Sequence, residues 1–277
     1  VWNHKRELAR VLNLSPEQVH VTTPDVGGGF GMKTMQYPEQ YATAQAAIQL
    51  GRPVAWISDR SEAMLADNGA RDLESTAELA FDADHRILAY RVSTRSNLGA
   101  YNSQFAQNIQ SELFSKVFTG VYAIPCATLD VEGIYTHTTP VDAYRGAGRP
   151  EAAYVIERLV EHVAREIGKS PDAVRALNFI KPEAMPHTTQ VGRIYDSGEF
   201  EAAMRRAMEV ADWGGFKERL RASKKAGKAR GIGMASYIEA CAGGSPERAD
   251  ISMQADGSVD VKIGTQSNGQ GHMTAYA

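Results

Sequence analysis

The run Asp25-Val26-Gly27-Gly28-Gly29-Phe30-Gly31-Met32-Lys33 offers chemistry through its backbone rather than its side chains. Glycines reach positive φ and leave peptide N–H and C=O groups open, so this run with one retained aromatic presents oriented dipoles to something bulky. A polyanionic cofactor suits such a cradle, and Lys33 either neutralises its phosphate or caps the loop. Taken alone, the run reads equally well as a turn. Two phosphate motifs are excluded. A P-loop requires Gly-Lys-Ser/Thr, but Met32 separates Gly31 from Lys33. A dinucleotide fingerprint beginning at Gly27 requires glycine where Met32 stands.

Two more polar, glycine-punctuated loops follow at wide spacing: Thr136-His137-Thr138-Thr139-Pro140-Val141-Asp142-Ala143-Tyr144-Arg145-Gly146-Ala147-Gly148-Arg149-Pro150-Glu151, and Gly264-Thr265-Gln266-Ser267-Asn268-Gly269-Gln270-Gly271-His272-Met273-Thr274. His137 and His272 have no partner at metal-ligand spacing and read as structural polar residues. Asp142 and Glu151 flank the arginine loop and read as groups that order it. The Arg145 side chain reads equally well as part of a site or as a surface or ion-paired arginine.

The elements that position these loops are legible in outline. Ser15-Pro16-Glu17-Gln18 is a helix start, with an N-cap serine, proline in the first turn and glutamine at the capping-box position. A strand over His20-Val21-Thr22 then feeds the first glycine run. Residues 38–50, rich in alanine and glutamine, predict a helix closed by Gly51-Arg52-Pro53, and Val54 to Ser58 predict a buried strand. Asp72 to Tyr101 holds two alternating runs joined by Asp82-Ala83-Asp84-His85, a hairpin pattern. Ala152 to Ile167 places Val155, Ile156, Leu159, Val160, Val163 and Ile167 at helical spacing. Ser170-Pro171 starts another helix, and residues 198–213 form a third with Phe200, Met204 and Met208 on one stripe as ordinary core. The basic stretch Lys217 to Lys228 reads as a solvated linker, and Gly231-Ile232-Gly233 as the opening of a strand-rich region. Asp250 to Met253 pairs with Val259 to Ile263 across Ala255-Asp256-Gly257-Ser258. The fold class is α/β, of mixed α+β character. The domain boundary falls near residue 228, giving domains 1–228 and 229–277.

Composition bounds the function. With 277 residues, 43% hydrophobic and 23% charged, the chain can bury a sizeable core. A net charge of −3 leaves no electrostatic footprint for nucleic acid or an anionic membrane. No apolar run approaches the roughly 20 residues that span a bilayer, and no signal peptide opens the chain, so a cytoplasmic location is expected. Two cysteines, Cys126 and Cys241, are too few for a disulfide framework and read as buried free thiols.

The three loops, in their order, resemble the molybdopterin-binding large subunit of the xanthine dehydrogenase and aldehyde oxidase family, including its carbon monoxide dehydrogenase-like members. The resemblance runs along essentially the whole chain. It implies a molybdenum-cofactor-binding domain followed by the start of a second one. It also implies hydroxylation of an aldehyde, heteroaromatic or similar small carbon substrate with water-derived oxygen, electrons leaving through iron–sulfur clusters to a flavin. Carried over, the Phe30 carbonyl and Gly31 amide face the molybdenum ligands, with Gly28 and Gly29 in the same cradle. The Arg145 backbone amide approaches a metal oxygen, and Thr34, Gly146 and Ala147 shape the substrate pocket. Gln270 bonds the dithiolene or pterin end, with Gly269 and Gly271 allowing close approach. The implied cofactor is molybdenum-molybdopterin in its cytosine dinucleotide form. An iron–sulfur small subunit and an FAD-binding medium subunit are the implied partners.

The departures are specific. Xanthine-oxidising members carry a glutamate after the motif lysine and an aromatic two residues after the motif arginine, where this chain has Thr34 and Ala147, arguing against a purine. Copper-dependent oxidisers of carbon monoxide carry a cysteine where this chain has Gly146. The Ala143-to-Arg149 form resembles the form II relatives. Val1-Trp2-Asn3 and Ala275-Tyr276-Ala277 read as the ends of an internal fragment, and the family's C-terminal glutamate base has no counterpart before Ala277. The fragment alone is therefore expected to be inactive. Two alternatives stay open: a non-catalytic pterin- or partner-binding protein on the same scaffold, and an unrelated nucleotide-binding enzyme using the first glycine loop.

Overall fold

The computed structural model describes residues 1–241 and 247–277. They form two compact units: Val1–Asn68 with Cys241–Ala277, and Gly69–Ala240.

The first unit opens with helix α1 (Trp2–Val11), a 3-10 turn at Pro16–Gln18, α2 (Pro38–Leu50) and α3 (Arg60–Ala66). Ser15 and Gln18 form the expected capping box, the Ser15 N–H donating to Gln18 Oε1 at 2.8 Å. Pro38 starts α2, and Gly51 ends it at φ 61°, as the sequence predicts. Two expected strands do not form. His20-Val21-Thr22 has no ladder partner, and Val54 to Ser58 is exposed, with Ile57 at 89%. Short apolar runs signal a strand only where a neighbouring strand takes up the backbone groups. Asp59 instead caps α3, its Oδ1 accepting the Glu62 N–H at 2.7 Å.

The second unit is built on a three-stranded sheet: β1 (Leu73–Phe81), β2 (Ile87–Gly99) and β3 (Ala127–Tyr135). β1 and β2 form the expected hairpin, and Asp82 Oδ1 closes its turn by accepting the N–H groups of Asp84 and Arg86, each at 2.9 Å. β3, which is not among the strands expected from the sequence, runs parallel to β2. A parallel pair needs a long crossover. Here it passes through α4 (Ala106–Asn108), a π turn at Ile109–Leu113 and the buried run Phe114 to Ile124. Next comes α5 (Arg149–Glu166), whose Ala152, Ile156, Val160 and Ala164 are buried while Val155 and Leu159 lie half-buried beside them. α6 (Pro171–Asn178), the short strands β4 (His187–Thr188) and β5 (Ile194–Tyr195), and α7 (Phe200–Val210) complete the packing. Met204 is buried, and Phe200 and Met208 pack against the same core. The core centres on Tyr90, stacked on Phe118 at 4.7 Å, and Tyr122, stacked on Phe179 at 5.6 Å.

The basic stretch read as a linker is instead a helix, α8 (Phe216–Lys225), amphipathic and anchored through buried Ser223. Lysine and arginine are good helix formers, and their density here reflects an exposed face. The segment from Gly231 to Ala240 forms no strand. The Glu157 carboxylate accepts the Ser236 N–H at 2.8 Å, and Arg175 donates to the Met234 carbonyl at 3.2 Å. The first unit then resumes with the predicted hairpin of β6 (Ala249–Met253) and β7 (Val259–Ile263), its turn carrying Gly257 at φ 86°, and ends in α9 (His272–Ala275). Cys126 and Cys241 are both exposed, against the expectation of buried thiols. No helix among the described residues is long and apolar enough to cross a membrane.

Candidate functional site

The first and third glycine loops meet inside the first unit. A Cβ on Gly269 would lie 3.0 Å from the Val26 carbonyl oxygen and 3.1 Å from the Gly28 nitrogen, and Gly269 sits at φ 108°. Only glycine permits two backbones this close in that conformation. Gly29 lies against the Asn268 side chain at 3.5 Å from where its Cβ would be. Phe30 adopts φ 52°, uncommon for an aromatic, and is half exposed, so it is not a core residue. Among the described residues the N–H groups of Gly28, Phe30 and Gly31 donate to no protein acceptor, while the Gly29 and Gly31 carbonyls are taken by Lys33 and Thr34.

Gln270 is oriented by its own loop. Its Oε1 accepts the Asn268 N–H at 2.5 Å, which leaves its amide NH2 as the outward-facing donor. Asn268 Oδ1 accepts from Gln266 at 3.0 Å, so the loop is internally braced. The two loops line one cavity of about 670 Å³ together with Thr22, Thr23, Lys33 and Thr34. Its donors are peptide N–H groups, hydroxyls, amides and the Lys33 ammonium. Glu247 is the one carboxylate among its described lining residues, and it accepts from Thr265 at 3.3 Å. His4, also in the wall, is held below the usual imidazole range, chiefly by burial, so it adds a neutral group. Gly271, at φ 72°, starts α9, where the His272 ring stacks on Tyr276 at 4.9 Å.

The arginine loop lies in the second unit. Gly146, Ala147 and Gly148 all have positive φ, at 99°, 40° and 89°, immediately before α5. Gly148 is obligatory, because a Cβ there would stand 2.1 Å from the Ile109 carbonyl oxygen of the π turn. Asp142, 2% exposed, accepts the Phe105 N–H at 3.1 Å and the Ala143 N–H at 2.5 Å. Its role is to hold the loop, as its position suggests. Arg71, which no sequence motif marks, donates to the Arg145 carbonyl, lies 3.3 Å from Glu151 and sits over the Tyr144 ring at 5.0 Å. Gln110 donates to the same Glu151 at 3.4 Å. The Arg145 side chain is exposed and, like its amide N–H, has no protein partner among the described residues. His137 is exposed. No group of three His, Cys, Asp or Glu side chains able to hold a metal occurs among the described residues. Whatever these loops bind is met mainly by backbone and amide groups.

Residues 1–179 match the model of a molybdopterin cofactor-binding domain, and residues 206–277 match a second model of the same description. The chain belongs to the molybdopterin-binding family of xanthine dehydrogenase, aldehyde oxidase and carbon monoxide dehydrogenase type. It is similar to the carbon monoxide dehydrogenase large chain of Hydrogenophaga pseudoflava, with 35% identity over 98% of this chain and 36% of that one. The nicotine 6-hydroxylase large subunit of Paenarthrobacter nicotinovorans is 32% identical over 98% of this chain and 35% of its own length. In structure it is similar to quinoline 2-oxidoreductase from Pseudomonas putida 86, with a TM-score of 0.86 at 28% identity, covering 97% of this chain and 36% of that one. The chain thus spans about a third of the length of the relatives it matches. The mixed helix-and-strand architecture is that of the family's cofactor-binding domains.

Proposed function

We propose that the chain is the cofactor-cradling part of a molybdenum hydroxylase large subunit that oxidises an aldehyde, heteroaromatic or similar small carbon compound. The observation that carries this reading is the meeting of the two glycine loops at Gly269, Val26 and Gly28. Free N–H donors, Lys33 and a roomy polar cavity suit a cofactor with an anionic tail, so the residues present fit the group. When bound, the cofactor supplies the two-electron oxidising centre that delivers water-derived oxygen. The chain's own residues bind and orient. Phe30 and Gly31 turn backbone groups toward the metal ligands, Gln270 donates its amide NH2 to the pterin or dithiolene end, and Gly28, Gly29, Gly269 and Gly271 keep side chains out of the way. Arg145 supplies a backbone N–H to a metal-bound ligand, and Thr34, Gly146 and Ala147 leave a small-walled substrate pocket.

Gly146 offers no thiolate, and Thr34 and Ala147 offer neither a carboxylate nor an aromatic face, so the proposed substrate is neither carbon monoxide handled at copper nor a purine. The reading extends to the cytosine dinucleotide form of the cofactor, to iron–sulfur and FAD subunits as partners, to a cytoplasmic location and to family modules at 1–228 and 229–277. It assigns the general base to a part of the subunit outside these residues, which makes the 277-residue chain inactive alone. Metal and pterin analysis of the full-length protein, expressed with molybdate, tests the proposal. One molybdenum and one pterin per subunit are expected. A folded protein free of both would favour the alternative, a non-catalytic partner-binding scaffold.

A further inference from the structure

Arg71 engages the arginine loop through three different interactions. Its guanidinium donates to the Arg145 carbonyl, pairs with the buried Glu151 carboxylate at 3.3 Å and lies over the Tyr144 ring at 5.0 Å. Glu151 is 7% exposed, and Gln110, itself 2% exposed, donates at 3.4 Å to the same Oε1 that Arg71 faces, so the anchor under Arg71 is fixed by buried groups. Arg71 adopts φ 59° and Ala147 φ 40°, both uncommon for a residue with a Cβ, so each side of the contact carries backbone off the common regions. Such conformations persist only where surrounding contacts hold them, and they concentrate at functional sites.

The Arg145 carbonyl and the Gly146 N–H belong to one planar trans peptide and point in opposite directions. Holding the carbonyl on the guanidinium therefore turns the Gly146 N–H away from Arg71. A cationic donor on the carbonyl also polarises that peptide and strengthens its N–H as a donor. Among the described residues, neither the Gly146 N–H nor the neighbouring Arg145 N–H has a protein acceptor.

We propose that Arg71 is a positioning residue, which fixes and polarises the Arg145–Gly146 peptide so that consecutive N–H groups of this loop meet an anionic ligand of the molybdenum centre. This rests on the proposed function, since it takes the cofactor as the anion. The shape of guanidinium is required: it reaches a carbonyl, a carboxylate and a ring face at once, which an ammonium cannot do.

The test uses the full-length subunit with its partner subunits, comparing wild type with Arg71→Ala for molybdenum content, the electron paramagnetic resonance spectrum of the partly reduced metal, and kcat against KM. The expected result is near-normal metal content, shifted g values and a kcat lowered by about tenfold to a hundredfold, the range for small misplacement of a catalytic group. Added guanidinium ion should restore the wild-type spectrum, which repair of a merely structural defect would not do. An unchanged spectrum and kcat in a metal-loaded variant would overturn the proposal. Should Arg71→Ala fail to fold, Arg71→Lys carries the same test: it keeps the charge beside Glu151 but not the fork, and a wild-type spectrum there would equally overturn it. A wild type without molybdenum would instead sink the proposed function.

Discussion

The two units of this molecule solve opposite problems. The second buries nearly all the large apolar side chains that are buried among the described residues, around Tyr90, Phe118, Tyr122, Ile156 and Phe179. In the first, Ala9 and Met35 are the buried apolar residues among those described, while Trp2, Ile57, Met64 and Leu65 are 75% or more exposed. Close packing supplies stability, so the second unit is the part whose folding its own contacts explain. The first unit devotes its ordered backbone to glycine loops, where the absence of side chains is the useful property. Stability and cofactor access are thus written in different residue types, and substitutions should separate them.

The largest effect falls in the second unit. Phe118→Ala removes a ring that is 1% exposed and stacked on Tyr90, and should cost about 3–5 kcal/mol in urea unfolding of the chain. A loss below about 1 kcal/mol would remove the contrast between the units.

Alkaline pH gives a smaller effect in the same unit. Burial pushes the Tyr195 hydroxyl up to about 12, from an ordinary value of 10.0. Burial, and then the Glu157 carboxylate, push Tyr122 well above the ordinary range. Each phenol is therefore neutral in the fold, and its stabilisation is complete below pH 10 and is lost as pH rises toward and through the folded-state value. Full loss of the Tyr195 contribution by this route amounts to about 3 kcal/mol, on the scale of one pKa unit per 1.36 kcal/mol. Ultraviolet absorbance should show these tyrosinates appearing together with unfolding; early titration of all tyrosines would contradict the burial.

The smallest effect belongs to the first unit. Ile57→Ser, at a side chain 89% exposed, should change the stability of the chain by no more than about 0.5 kcal/mol in the same urea assay. A larger loss would mean that Ile57 packs in solution.

Legibility cut across that division. The β1–β2 and β6–β7 hairpins, α2, α5, α6 and α7 were readable because periodicity and turn chemistry agree with the tertiary surroundings. The strands expected at His20 and at Val54 were misread because an apolar run carries no information on whether a partner strand exists. β3 went unread although Ala127, Leu129 and Val131 alternate with Thr128, Asp130 and Glu132 as a half-buried strand should, because no turn signal beside it marks a partner and its neighbour β2 lies far back in the chain. Of the candidate site, the loops were visible as glycine runs, and their meeting at Gly269 was not, because spatial proximity across more than two hundred residues has no local signature. Arg71 was invisible for the same reason: nothing around it marks a contact with Arg145 and Glu151.

Gly269→Val in the full-length protein, assayed for molybdenum and pterin content alongside urea unfolding, tests the division most directly. The branched side chain cannot fit 3.0 Å from the Val26 carbonyl at φ 108°, so cofactor content should fall at least about tenfold while unfolding of the second unit is unchanged. Full cofactor content in this variant would show that the meeting of the glycine loops does not hold the cofactor.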